Sequence, residues 1–192
     1  MPDVDIRDRI LCEATRLFAR QGYGSTSVRE LAEAAGVTKP TLYYYFENKE
    51  ALFLEVVHHH LDSLQDLVQE AMDTPGTVHK RLTRFIERYV EGALKNIDAV
   101  RLLTTLQHPT DPDQPQIDLM SMHLSKIEVL QRLLQEGIDA GELREGIDVR
   151  AAVLSFIGTV NLYLVARLHG MAFPADYANT LMDLYCNGVA AR

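Results

Sequence analysis

Between Ser27 and Tyr45 two short helices have to turn sharply on each other, and that corner limits the folds open to the chain. Ser27 stands three residues before Glu30. At that spacing the serine hydroxyl accepts from the Glu30 amide while the Glu30 carboxylate reaches back, a reciprocal cap that opens a helix over about Val28 to Ala35. Gly36 ends it. Thr38 is then a good N-cap, and Pro40 falls in the first turn, where a missing N–H costs little, so a third helix runs to about Tyr45. Ala32 and Gly36 are small enough for the two backbones to cross closely, and Leu31, Ala35, Val37 and Leu42 supply the apolar seam between them. Ahead of this corner Ile6, Ile10, Ala14, Leu17 and Phe18 recur at helical spacing before Gly22 and Gly24. That first helix can cover the seam with Ile10, Ala14 and Phe18, which leaves the outer face of the third helix free.

The free face carries Lys39, Thr41, Tyr44 and Tyr45, with Thr38 at its start. Short polar groups and phenols of this kind suit base edges and phosphates in a major groove, and a packing unit has no need of them. Thr38 can place its hydroxyl near a phosphate, Tyr43 and Tyr45 can donate from their phenols, and Arg29 can pair bidentately with guanine. Lys49 can neutralise another phosphate at the start of a fourth helix capped by Asn48. The expectation is a helix-turn-helix DNA-binding domain over residues 1–49 that uses Arg29, Thr38, Lys39, Thr41, Tyr43, Tyr44, Tyr45 and Lys49. Charge supports it by region. The formal net charge is −8, yet residues 1–49 hold seven Lys/Arg against seven Asp/Glu, and residues 50–192 hold twelve against twenty. An acidic second part repels the DNA backbone and leaves the first part as the docking face.

From residue 50 onward only helical periods and helix breakers occur, so the chain reads as all-α with about nine helices. Leu52, Val56, Leu64, Leu67 and Ala71 stripe a long fourth helix that stops near Thr74-Pro75-Gly76, and a helix carrying Leu82, Phe85, Ile86, Tyr89 and Leu94 follows. His108 to Pro115 is a loop. Beyond it Ile117, Met120, Leu124, Ile127, Leu134 and Ile138 mark a helix ending at Gly141, and two more occupy roughly Val149 to Gly170 and Pro174 to Val189. With 47% hydrophobic residues the chain is too apolar to be disordered. Its first residues lack the apolar core of a secretory signal, and Ser155, Thr159, Asn161 and Arg167 interrupt its most apolar stretch, so a soluble cytoplasmic protein is expected. Cys12 and Cys186 form no metal or redox motif.

Residues 50–192 are expected to form a helical ligand-binding and dimerisation domain. The helix after Val149 is apolar on more than one face, which calls for a second surface to cover it. Ala151, Leu154, Leu162 and Val165, with Leu181, Leu184 and Tyr185 of the last helix, are the expected interface with a second copy of the chain. A two-fold dimer also suits two recognition helices entering grooves roughly 34 to 36 Å apart. Phe85, Tyr89, Leu103, Leu106, Met120, His123, Ile127 and Tyr163 mix apolar bulk with a few polar tips on inward stripes and are the candidate lining of a small-molecule pocket. Consecutive His58, His59 and His60 point about 100° apart on a helix and cannot converge on one ion, so no metal site is expected, and His60 continues an inward stripe. No phosphate loop, nucleophile elbow or zinc motif supports an enzyme, and no cofactor is expected. A helical protein-interaction module without DNA binding is the competing reading.

The run Thr26-Ser27-Val28-Arg29-Glu30-Leu31-Ala32-Glu33-Ala34-Ala35-Gly36-Val37-Thr38-Lys39-Pro40-Thr41-Leu42-Tyr43-Tyr44-Tyr45-Phe46, with Asn48-Lys49-Glu50-Ala51-Leu52, resembles the signature of TetR-type (tetracycline-repressor-like) regulators. Glu136-Gly137-Ile138 and Gly141-Glu142-Leu143-Arg144 are a weaker echo. The resemblance implies a small DNA-binding domain, a larger helical ligand domain and a homodimer formed through the last two helices. It makes Tyr43 and Lys49 phosphate contacts and leaves Arg29, Lys39, Thr41 and Tyr44 as candidate base readers. It also implies that an unliganded dimer sits on a palindromic operator and that a small effector releases it, with activation or co-repression as the other directions.

Overall fold

A computed structural model describes residues 5–107 and 111–189. Among them the chain is all-helical, in the order α1 (Ile6–Gln21), α2 (Val28–Ala34), α3 (Lys39–Tyr45), α4 (Lys49–Asp73), α5 (Val78–Lys95), α6 (Ile97–Gln107), α7 (Leu119–Asp139), α8 (Val149–Leu168) and α9 (Tyr177–Val189). The helix starts follow the capping residues. Asp5 accepts from the Arg7 amide ahead of α1, the Ser27–Glu30 reciprocal cap is complete ahead of α2, and Thr38 accepts from the Thr41 amide ahead of α3. Asn48 accepts from the Ala51 amide at 2.8 Å, and Asp148 does the same for Ala151 at 3.0 Å. Each such cap satisfies an amide that the helix itself leaves bare and stabilises by about 1 kcal/mol.

The chain divides into two compact units: residues to Asp62 together with Asn96–Leu119, and Ser63–Lys95 together with residues from Met120 on. These units do not fall on either side of residue 49. The long α4 contributes to both, and α6 belongs to the first because it packs against α1.

In the first unit Ile10, Leu11, Ala14 and Phe18 of α1 meet Leu31, Ala32, Ala35, Leu42 and Phe46 of the α2–α3 corner, and Leu52, Phe53, Val56 and Val57 of α4 are buried with them. Phe18 and Phe53 meet edge to face with ring centres 5.0 Å apart. The corner itself turns at Gly36, whose φ of +62° is the left-handed conformation that side chains disfavour. There the Val37 amide donates to the Ala32 carbonyl at 2.9 Å and closes α2. Leu42 is fully buried, so truncating it to alanine would cost about 2–5 kcal/mol.

The second unit has its own core, built from Val68, Leu82, Phe85, Ile86, Leu130, Leu133, Leu134, Val153, Phe156, Val160 and Met182 among others. α8 buries only Ala152, Val153, Phe156, Val160 and Leu164 in it. Among the described residues α8 is the one helix long and apolar enough to cross a membrane.

Candidate functional site

The outer face of α3 is as free as its spacing implied. Tyr44 is 83% exposed and Tyr43 48%, Lys39 is exposed, and Tyr45 is half-buried with its ring edge-on to Tyr44 at 5.2 Å. Thr38 is more occupied: its hydroxyl lies 2.8 Å from that of Thr41 and accepts from the Thr41 amide at 3.3 Å, which fixes both threonines at the start of the helix. Arg29 stays exposed on α2, 3.6 Å from Glu33 one turn along. The α3 face is therefore a shelf of phenols and hydroxyls with two cations beside it, held on a buried corner.

Lys49 does something its sequence position gave no sign of. Its ammonium donates to the Tyr23 carbonyl at 3.0 Å and to the Thr26 carbonyl at 3.1 Å, and sits 4.0 Å from the centre of the Tyr23 ring. Two of its three donors are thereby spent inside the chain, clamping the turn between α1 and α2 to the start of α4. Burial pushes the Tyr23 phenol above its usual range, with Glu50, Asp113 and Asp111 adding to the shift.

His60 is a half-buried histidine of the first unit. Thr15 donates its only hydroxyl proton to the Leu11 carbonyl at 2.8 Å, so at 2.9 Å it can only accept from His60 Nε2. Burial, helped by the charge of His59, lowers the His60 pKa to about 4 and keeps the ring neutral.

In the second unit a cavity of about 90 Å3 is lined by Leu64, Val68, Phe85, Tyr89, Ile127, Leu130, Ile157, Val160 and Asn161. Phe85, Tyr89 and Ile127 of the expected pocket lining are among them. Leu103 and Leu106 were not correctly assigned: both lie on α6 in the first unit, and Leu106 is buried there. Tyr163 also lies elsewhere, packed against Phe173 and Tyr177 with ring centres 4.8 and 4.7 Å away. The side chains of Met120 and His123 fall outside the described residues. The Tyr89 hydroxyl donates to Asn161 Oδ1 at 3.1 Å, and burial raises its pKa. Asn161, a lone amide in an apolar helix, was the signal that could have placed α8 on this cavity.

The outward side of α8 presents Ala151, Leu154, Leu162 and Val165, all exposed, with Gly158 between them, and Leu184 of α9 is exposed as well. Two residues assigned to this surface face the other way. Leu181 is buried in the core of the second unit, and the half-buried Tyr185 donates its hydroxyl to the Ala152 carbonyl at 2.9 Å. Burial lifts that phenol to about 12.

Comparison with known proteins bears on all of this. Residues 10–56 match the family of bacterial regulatory proteins of the tetR type. The HTH-type transcriptional repressor KstR2 of Mycolicibacterium smegmatis is 30% identical over 144 residues, 74% of this chain and 70% of that protein. The fatty acid metabolism regulator protein of Bacillus subtilis is 27% identical over 155 residues, 80% of this chain and 78% of its own length. Among solved structures, Bacillus subtilis FadR in complex with stearoyl-CoA shares the fold with a TM-score of 0.72 at 22% identity, over 94% of this chain and 98% of that one. Relatives include an activator as well as repressors. With the capped corner, the free recognition face and these matches in hand, the chain belongs to the TetR family of DNA-binding transcriptional regulators and is not an enzyme.

Proposed function

We propose that the protein is a homodimeric, cytoplasmic repressor that binds a two-fold operator through α3 and is released by an apolar small molecule held in the cavity of its second unit. The observation that carries the DNA-reading part is the α3 face, where Tyr44 is left 83% exposed on a helix anchored by the fully buried Leu42. Tyr44, Lys39, Thr41 and Arg29 are the base-reading residues, Tyr43 and Tyr45 donate to phosphates, and Thr38 orders the start of the helix. Lys49 has one ammonium donor left for a phosphate, so its first role is to brace the turn beneath the recognition helices.

The exposed apolar face of α8 supports dimerisation. Leu154, Leu162 and Val165 line one side of the helix, and a second copy of the same face covers them in an isologous four-helix contact with α9. For the effector, the lining is apolar apart from Tyr89 and Asn161, which suits a hydrocarbon chain carrying few polar atoms. Relatives named for fatty acid metabolism, and one seen with stearoyl-CoA, point to an acyl chain. The cavity is small, so a long chain enters only as the surrounding helices part. The ligand then favours the wider conformation over the one that fits the operator, a shift of population.

Selection of bound sequences from a random duplex pool, run in parallel with wild type and Tyr44→Ala, tests the reading. Enrichment of a two-fold motif by wild type, relaxed or lost in the variant, supports it. Binding to no duplex at low salt would sink it, because neutralised phosphates require affinity that rises as salt falls. Titrating the recovered complex with stearoyl-CoA tests release directly, and tighter binding on titration would favour an activator or co-repressor direction instead.

A further inference from the structure

The turn that hangs α2 and α3 from α1 is held from two directions within the first unit. Lys49 takes its carbonyls, at Tyr23 and Thr26. Its amide is taken by a residue far along the chain: Asp111, in the segment after α6, accepts from the Gly24 amide through Oδ2 at 2.6 Å. The other carboxylate oxygen, Oδ1, accepts from the Asp113 amide at 3.0 Å, which fixes the carboxylate in orientation. Position 24 is shaped for this contact. A Cβ built on Gly24 would lie 2.9 and 3.1 Å from the two Asp111 oxygens, so any larger residue would push the carboxylate away. Beyond the turn, Thr26 is buried and donates its hydroxyl to the Gly22 carbonyl at 2.6 Å, and Ser27 caps α2 at once. Little slack separates the Gly24 amide from the helix that braces the recognition face.

We propose that Asp111 is a positioning residue for DNA binding: its carboxylate and the Lys49 ammonium clamp opposite poles of the 22–26 turn and so set the angle at which α2 and α3 meet the groove. The proposal rests on the DNA-reading role of α3. An acidic side chain close to a DNA-reading head is otherwise a liability, since it repels phosphate, and its use as a fixed acceptor for a backbone amide explains its presence. Asp111 also ties the head to the segment that leads directly into α7, whose Ile127 and Leu130 line the effector cavity.

The test uses the full-length protein and the duplex recovered by selection. Asp111→Ala is expected to weaken operator binding roughly 3- to 10-fold, the loss of one charge-assisted hydrogen bond. Gly24→Ala, which displaces the carboxylate from the other side, should give a similar loss, and the double variant should be no weaker than the worse single one, because both break the same contact. Exchange of the Gly24 amide should speed up in Asp111→Ala while the melting transition stays cooperative. Operator binding by Asp111→Ala that is unchanged or tighter would mean that the carboxylate acts only as a repelling charge, and would overturn the proposal. Additive losses in the double variant would overturn it too. Should wild type recover no duplex, the DNA-reading function fails, and an unchanged Gly24 exchange rate in Asp111→Ala would separately dismiss the tether.

Discussion

The exposed faces of α3 and α8 are both surfaces that the folded chain leaves uncovered, and they are chemical opposites. On α3 the largest exposed group is Tyr44, flanked by hydroxyls and a lysine, all content in water. On α8 it is Leu162, 70% exposed and in line with Leu154 and Val165, with no polar group on these side chains to offer. A face of the first kind can be bare half the time and meet a polar partner when one arrives. A face of the second kind loses about 25 cal/mol for every Å2 it keeps in water, so it belongs against a permanent partner. The difference teaches what kind of partner each surface suits, a polar and reversible one for α3 and an apolar and lasting one for α8.

The largest expected effect comes from breaking the α8 face proposed as the dimer interface. Leu162→Asp should halve the mass in solution and, by leaving each head to bind a half-site alone, weaken operator binding roughly 100-fold or more. Sedimentation and binding titration read both, and an unchanged mass would mean that α8 is not the interface. Next, Tyr44→Ala should leave mass and melting unchanged and cost about 1–3 kcal/mol of binding to the selected site, with little change on random DNA. Equal losses on both would turn Tyr44 from a base reader into a phosphate contact.

Acid should act on the first unit through His60. Its folded pKa of about 4 lies below the ordinary 6.5, so the unfolded chain takes up a proton first as pH falls. Stability is full above pH 6.5 and is lost progressively down to about pH 4, by roughly 1–2 kcal/mol for a ring with some solvent contact. Denaturant melts of wild type and His60→Gln at pH 7 and pH 5 check this, and the same pH dependence in both would acquit His60. The smallest effect is expected from Tyr89→Phe in the cavity. It removes the donor to Asn161 and should cost about 0.5–1.5 kcal/mol of stability, read from denaturant melts of wild type and variant.

The head was legible because its signals are local. The Ser27–Glu30 cap, the Thr38 cap and the turn at Gly36 each need only residues within four positions, and all are formed. The brace by Lys49 was not legible, since its acceptors are backbone carbonyls 23 and 26 residues earlier that no side-chain pattern announces. In the rest of the chain helical period marked Leu106 and Leu181 as apolar positions but not what they face: Leu106, expected at the pocket, lies buried in the first unit, and Leu181, expected at the dimer surface, is buried in the core of the second. α8 could be read as apolar all round, which is why its outward leucines were found and its cavity-lining Asn161 was not.

The hydrogen-bond logic around Thr15 gives this molecule a built-in reporter. Because the threonine proton is committed to Leu11, His60 is locked in the tautomer that carries its hydrogen on Nε2. A single imidazole frozen in one tautomer has a nitrogen resonance pattern that solvent-averaged histidines lack. Watching that one ring by magnetic resonance of nitrogen-15-enriched protein as operator or a candidate acyl ligand is added would show whether α1 and α4 keep their grip on each other.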